Sequence, residues 1–149
     1  MEHTEVFFSP GDDCVNHIIE LINNASSQID ICVFTISDDR ITRAIVDAMR
    51  NKVQIRIISD NDKLFDTGSD IHDLSRIGLE VKIDNSTNHM HHKFCIIDKK
   101  IALTGSYNWT RSAALYNQEN LLSTENSMVV EKFSAEFERL WDSYDFLEN

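Results

Sequence analysis

The sequence predicts an α/β fold, a mixed β-sheet with helices packed on both of its faces. Three observations predict it. Short runs with alternating apolar residues recur along the chain, separated by segments whose apolar residues follow helical spacing. Two such runs, at 91–97 and 101–104, stand so close that a tight antiparallel hairpin must join them, so the sheet is not wholly parallel. The chain has 149 residues, 42% of them hydrophobic, with four Gly and one Pro. That is apolar material for one core and too little Gly and Pro for a linker, so residues 1–149 read as a single domain.

Each element has a local reason. Residues 4–9 make a short strand, and "SPGDD" turns the chain, with Asp12 or Asp13 placed to cap a helix. Val15, Ile18, Ile19 and Ile22 then fall at helical spacing. Ile29, Ile31 and Val33 alternate within a strand at 28–34. Asp38 or Asp39 caps the next helix, whose apolar face is Ile41, Ala44, Ile45 and Ala48. Val53, Ile55 and Ile57 form a third strand, followed by a polar loop at 60–69 and a short helix at 71–77. Leu79, Val81 and Ile83 alternate in a fourth strand. After the hairpin, 109–115 reads as a helical turn and 119–123 as a last strand. Val129, Phe133, Phe137, Leu140 and Tyr144 give a long C-terminal helix its apolar face.

Composition excludes several classes. Cys14, Cys32 and Cys95 are isolated and odd in number, which suggests neither a disulfide framework nor a cysteine zinc site. No apolar run approaches the ~20 residues of a membrane helix, and the N-terminus lacks the order of a signal peptide. The expectation is a cytoplasmic protein without membrane contact. The net charge of -11 disfavours nucleic acid overall. Its distribution differs from its sum: between residues 85 and 118 Asp98 is the one acid, against Lys93, Lys99, Lys100 and Arg111. That window reads as a local positive island.

Within it lies the densest cluster of reactive side chains, "HMHHKFCIIDKKIALTGSYN" at 89–108. Residues two apart on a strand share a face, so His91 and Lys93 are paired, with His89 beside them if the strand starts early and His92 on the reverse face. Asp98 falls in the turn or opposite, which makes it a support residue. Lys93 supplies a fixed charge for an anionic oxygen, and His91 serves as nucleophile, acid or base near neutral pH. Gly105 permits a sharp turn, and Ser106 and Asn108 offer neutral hydrogen-bonding groups. A helical turn beginning near Trp109 would add backbone N–H groups facing an anion. Together these suit a phosphodiester. A metal cluster of His89, His91 and His92 is disfavoured because no carboxylate accompanies it and Lys93 repels a cation. Tyr107 and Trp109 either stack on bases or pack beside the Gly-Ser turn. Phe65, in the polar loop, is the better stacking candidate.

His91, Lys93 and Asp98 fit the pattern H-x-K-x4-D, Gly105, Ser106 and Asn108 fit a following G-S-x-N, and Glu119 stands downstream in "QENLL". On these residues the chain resembles the phospholipase D superfamily. It is most similar to the small branch with one signature per chain, the bacterial Nuc-type endonucleases and the mitochondrial Zucchini-like proteins. It departs from that branch in lacking a transmembrane segment, a zinc-binding insertion and a signal peptide, and in being acidic. The resemblance covers nearly the whole chain and implies a phospholipase D-like catalytic domain. It implies catalytic His91, Lys93, Asn108 and Glu119, with Glu119 orienting the histidine. Asp98, Gly105 and Ser106 would support them, and Lys93, Asn108 and Ser106 would meet substrate. It also implies a homodimer and metal-independent chemistry through a phosphohistidine, with no cofactor and no metal site. The expected function is a hydrolase, an endonuclease acting on single-stranded nucleic acid. Two alternatives stand: a lipid phosphodiesterase, which the missing apolar surface helix disfavours, and a non-catalytic interaction module, which the intact His, Lys, Asn and Glu set disfavours.

Overall fold

The computed structural model describes residues 2–61 and 68–148. Among them one eight-stranded mixed sheet organises the chain, in the order β1-β7-β6-β5-β2-β3-β4-β8. The elements run β1 (Thr4–Ser9), α1 (Asp13–Asn23), β2 (Gln28–Val33), α2 (Asp39–Arg50), β3 (Gln54–Asp60), α3 (Ile71–Arg76) and β4 (Glu80–Asp84). There follow β5 (Lys93–Ile97), β6 (Ile101–Gly105), α4 (Arg111–Leu115), β7 (Glu119–Thr124), α5 (Ser127–Ser143) and β8 (Asp145–Phe146). The pairs β2–β3 and β3–β4 are parallel, joined through α2 and α3, and every other pair is antiparallel.

Two apolar cores lie on opposite faces of this sheet, as the fold class requires. One gathers α1, α2, α3 and α4 over Ile29, Ile31, Ile57 and Val81. The other places Val130, Phe137, Leu140 and Trp141 of α5 over Cys32, Ile58, Phe94 and Ile96. Strands covered on both faces cannot keep a simple apolar-polar alternation. Asp30, a polar position in the predicted alternation, is thus buried, and Arg56 Nε meets its carboxylate at 2.9 Å while the same guanidinium reaches Glu138 on α5. This bridge ties α5 to the sheet across β2 and β3.

Several ends differ from the sequence expectation. The helical turn expected from Trp109 starts at Arg111, because the Thr110 side chain caps it and accepts the Ala113 N–H. The cap takes one of the first-turn N–H groups that the sequence reading offered to an anion, and the helix is only five residues long. The strand expected from His91 enters the ladder at Lys93, with one further bond from the Phe34 N–H to the His92 carbonyl. The edge strand β8 has no counterpart in the sequence reading; its two residues carry no detectable period. Phe65 lies outside the described residues. Among the described residues, no helix is long and apolar enough to cross a membrane.

Candidate active site

The hairpin β5–β6 builds the site from both ends. At its closed end Asp98 and Lys99 adopt positive φ of 55° and 54°, as a mirror-image hairpin turn demands. The Asp98 carboxylate accepts five hydrogen bonds: both backbone and hydroxyl donors of Ser26 and Ser27, and the Gln28 N–H. Burial pushes this carboxyl upward, but the backbone donors outweigh it and hold it well below the usual carboxylate range. Asp98 therefore clamps the hairpin to the start of β2 and faces away from the reacting surface, as a support residue.

At the open end an exposed cleft of about 470 Å³ is lined by His91, His92, Lys93, Thr104, Gly105, Ser106, Asn108 and Glu119. Lys93 Nζ lies 3.0 Å from His91 Nδ1 and donates to the His91 carbonyl at 2.7 Å. The His91 ring rests on Phe34, centroid to centroid 4.6 Å. Burial, then the neighbouring Lys93 charge, pulls the His91 pKa below its ordinary value. Burial likewise lowers Lys93, opposed by Glu119. Because Lys93 offers a proton to Nδ1, a neutral His91 in this geometry carries its own proton on Nε2.

The pieces opposite are placed by backbone proximity. A Cβ on Gly105 would collide with the Asn120 carbonyl oxygen, so only glycine lets β6 approach β7 here. Ser106 Oγ accepts the Asn120 N–H at 3.0 Å, which fixes the turn and leaves the hydroxyl on the cleft wall. Asn108 Oδ1 is buried without a hydrogen-bond partner. Glu119 opens β7 and accepts from Asn117 Nδ2 at 3.3 Å; no hydrogen bond joins it to His91. Tyr107 and Trp109 are fully buried in the helix-covered core, so packing is their role.

His92 turns to the other face, with Nε2 3.8 Å from Glu136 of α5, so the three histidines do not converge on one point. His89 lies past His91, beside Asp60. The positive island does not survive folding. Lys99 and Lys100 sit at the far end of the hairpin, about 17 Å of strand from Lys93, in a hollow they share with Glu2, Glu125 and Glu131. Among the described residues lining the cleft, Lys93 alone is a permanent cation. Sequence reading missed Phe34 and Asp60, which reach the site from strand ends remote in sequence.

The cleft thus holds one histidine-lysine pair, and comparison with known proteins shows the family to which the chain belongs. A family model described as "Cardiolipin synthase, PLD-like domain" matches residues 18–141. The chain belongs to the phospholipase D superfamily of phosphodiesterases. It is 39% identical to the Mitochondrial cardiolipin hydrolase of Xenopus laevis over 90% of this chain and 64% of the relative. It is 37% identical to that of Chlamydomonas reinhardtii, over 96% and 63%. The chain thus spans less than two thirds of the length of these curated relatives. Nuc from Salmonella typhimurium, a phospholipase D family member, superposes over the full length of both chains with a TM-score of 0.92 at 22% identity. NucT from Helicobacter pylori covers 99% of this chain and 100% of its own with a TM-score of 0.90 at 24% identity. Both share the fold. The expectation of a cytoplasmic protein is overturned: the curated relatives are mitochondrial by name.

Proposed function

We propose that this chain hydrolyses phosphodiesters through a covalent histidine intermediate, without a divalent metal. The observation that carries the proposal is the His91–Lys93 pair in a polar cleft faced by Ser106, Asn108 and Glu119. Lys93, Asn108 and Ser106 bind the non-bridging oxygens of the diester. That binding draws the Lys93 ammonium away from His91 Nδ1. The freed nitrogen then takes up the proton and turns to the Glu119 carboxylate, which leaves Nε2 able to attack. Nε2 bonds to phosphorus as the P–O bond to the leaving group breaks, and the departing alkoxide takes a proton from a second acid. The second acid, now deprotonated, then takes a proton from a water that attacks phosphorus, and the P–Nε2 bond breaks to release the phosphate product and restore the imidazole.

In-line displacement puts that second acid across the phosphate from His91. His92 lies on the other face, and His89 stands beside His91 instead of across the cleft. The second histidine is supplied by a second copy of the chain, so the active unit is a homodimer with a composite site.

The substrate read first is single-stranded nucleic acid. Most residues lining the cleft carry polar side chains, a single lysine suits few phosphates, and a net charge of -11 repels a long rigid duplex. A second reading is a lipid diester in a mitochondrial membrane. The relatives' name favours it, and Val6 and Phe8 expose apolar surface on β1 beside β7. Incubation with labelled single strands, duplexes and vesicles containing cardiolipin, each with and without EDTA, tests both. Cutting of single strands that persists in EDTA is expected. Hydrolysis of the lipid alone establishes the second reading, and activity that returns only with added metal refutes metal independence.

A further inference from the structure

His89 is a histidine of the 89–92 cluster that the signature does not use, yet the fold holds it in place. Asp60 closes β3, is fully buried, and accepts the Met90 N–H at 2.7 Å. Its other oxygen lies 3.5 Å from His89 Nδ1. The same carboxylate thus fixes the backbone just before the signature and faces one nitrogen of the imidazole. The His89 side chain is half exposed, and its ring meets Phe34 edge-on at 5.5 Å. Phe34 also carries His91, and the two imidazoles stand 6.3 Å apart. His89 is not among the residues that line the cleft; it stands one ring beyond His91, on the same Phe34 side chain.

We propose that His89, carried by Asp60, binds the phosphate next to the scissile one in a single-stranded polynucleotide. The inference rests on the phosphodiesterase reading and specifies what that site recognises. Successive phosphates of a polynucleotide are joined through three sugar carbons, so a phosphate on His91 places its neighbour within reach of a side chain about one ring further along. An imidazolium between a buried carboxylate and a phosphate oxygen is stabilised from both sides. The cleft itself offers one permanent cation, and His89, 6.3 Å beyond His91, brings a second ring with a hydrogen-bonding nitrogen for the neighbouring phosphate. Two phosphates bridged by three carbons also occur in a bis-phosphatidyl glycerol, so a lipid arm belongs in the test.

Three thymidine dinucleotides separate the contacts: TpT, with the diester alone, and pTpT and TpTp, which add a terminal phosphate on either side. The wild-type protein is expected to cleave one of the phosphorylated forms with kcat/KM about tenfold above TpT, the scale of one charge-assisted contact. In His89→Ala that ratio falls to about one, and in His89→Lys it is restored. Circular dichroism melts establish that both variants fold. A wild-type ratio of one, a ratio unchanged in His89→Ala, or no rescue by Lys overturns the proposal. If the wild-type protein cleaves none of the three, the phosphodiesterase reading fails by itself. NMR titration of wild type and His89→Ala with pTpT, TpTp and TpT then decides the phosphate contact on binding alone. The lipid arm compares vesicles of phosphatidylcholine containing either a bis-phosphatidyl glycerol or phosphatidylglycerol. A preference for the bis-phosphate lipid that His89→Ala abolishes, with no dinucleotide preference, overturns the polynucleotide assignment.

Discussion

Burial and the Lys93 ammonium both disfavour the charged form of His91. The neutral form therefore outweighs the charged one at a pH where a free imidazole, with a pKa near 6.5, is half protonated. Lys93→Met removes the largest of the charge causes and is expected to raise the His91 titration midpoint in an NMR pH series. An unmoved midpoint means the two side chains do not interact as their 3.0 Å separation implies. Asp98 makes the opposite case. Its carboxyl is depressed in the folded protein, so its stabilisation is complete above the unfolded value of about 4 and disappears as pH falls through the depressed folded value. Asp98→Asn is expected to lose about 1.5–3 kcal/mol in urea unfolding at pH 7, with the gap to wild type narrowing in strong acid. A gap constant over pH contradicts the charged clamp. His91, Lys93 and Asp98 were legible in sequence because strand periodicity sorts neighbours onto faces. Asp60 was not, because a carboxylate thirty residues before Met90 meets it only through the sheet.

The strands and helices that carry the site follow the apolar periods of the sequence, and the register of β5 against β6 follows from the turn residues. Periodicity could not reveal how far apart those elements leave their charges. Lys99 and Lys100 look like neighbours of Lys93 in sequence, yet an extended strand separates them. Nor could it show that β6 and β7 touch at Gly105. The Asn120 carbonyl occupies the space a side chain would need. Gly105→Ala forces the strands apart and is expected to destabilise the fold by about 1–3 kcal/mol. Ser106, Asn108 and Glu119 lie on those two strands and the turn after them, so activity falls with it. A variant as stable and active as wild type shows that β6 and β7 are not held at this spacing.

At the scale of the whole molecule, one chain offers one His91–Lys93 pair, while displacement at phosphorus asks for a nucleophile on one side and an acid on the other. Assembly was readable in sequence only as a count of signatures, since no residue pattern specifies which surfaces of two copies meet. If the second acid is the partner's histidine, mixed dimers of wild type with His91→Ala lose most of their activity. Mixed dimers that keep half the wild-type rate place the acid elsewhere. The central claim is the covalent step at His91, and rapid quenching with a phosphorus-labelled diester tests it most directly. The prediction is label on His91 during turnover, labile in acid and stable in base, and absent from His91→Asn, which does not cleave. Turnover with no protein-bound label, or cleavage that survives in His91→Asn, contradicts it.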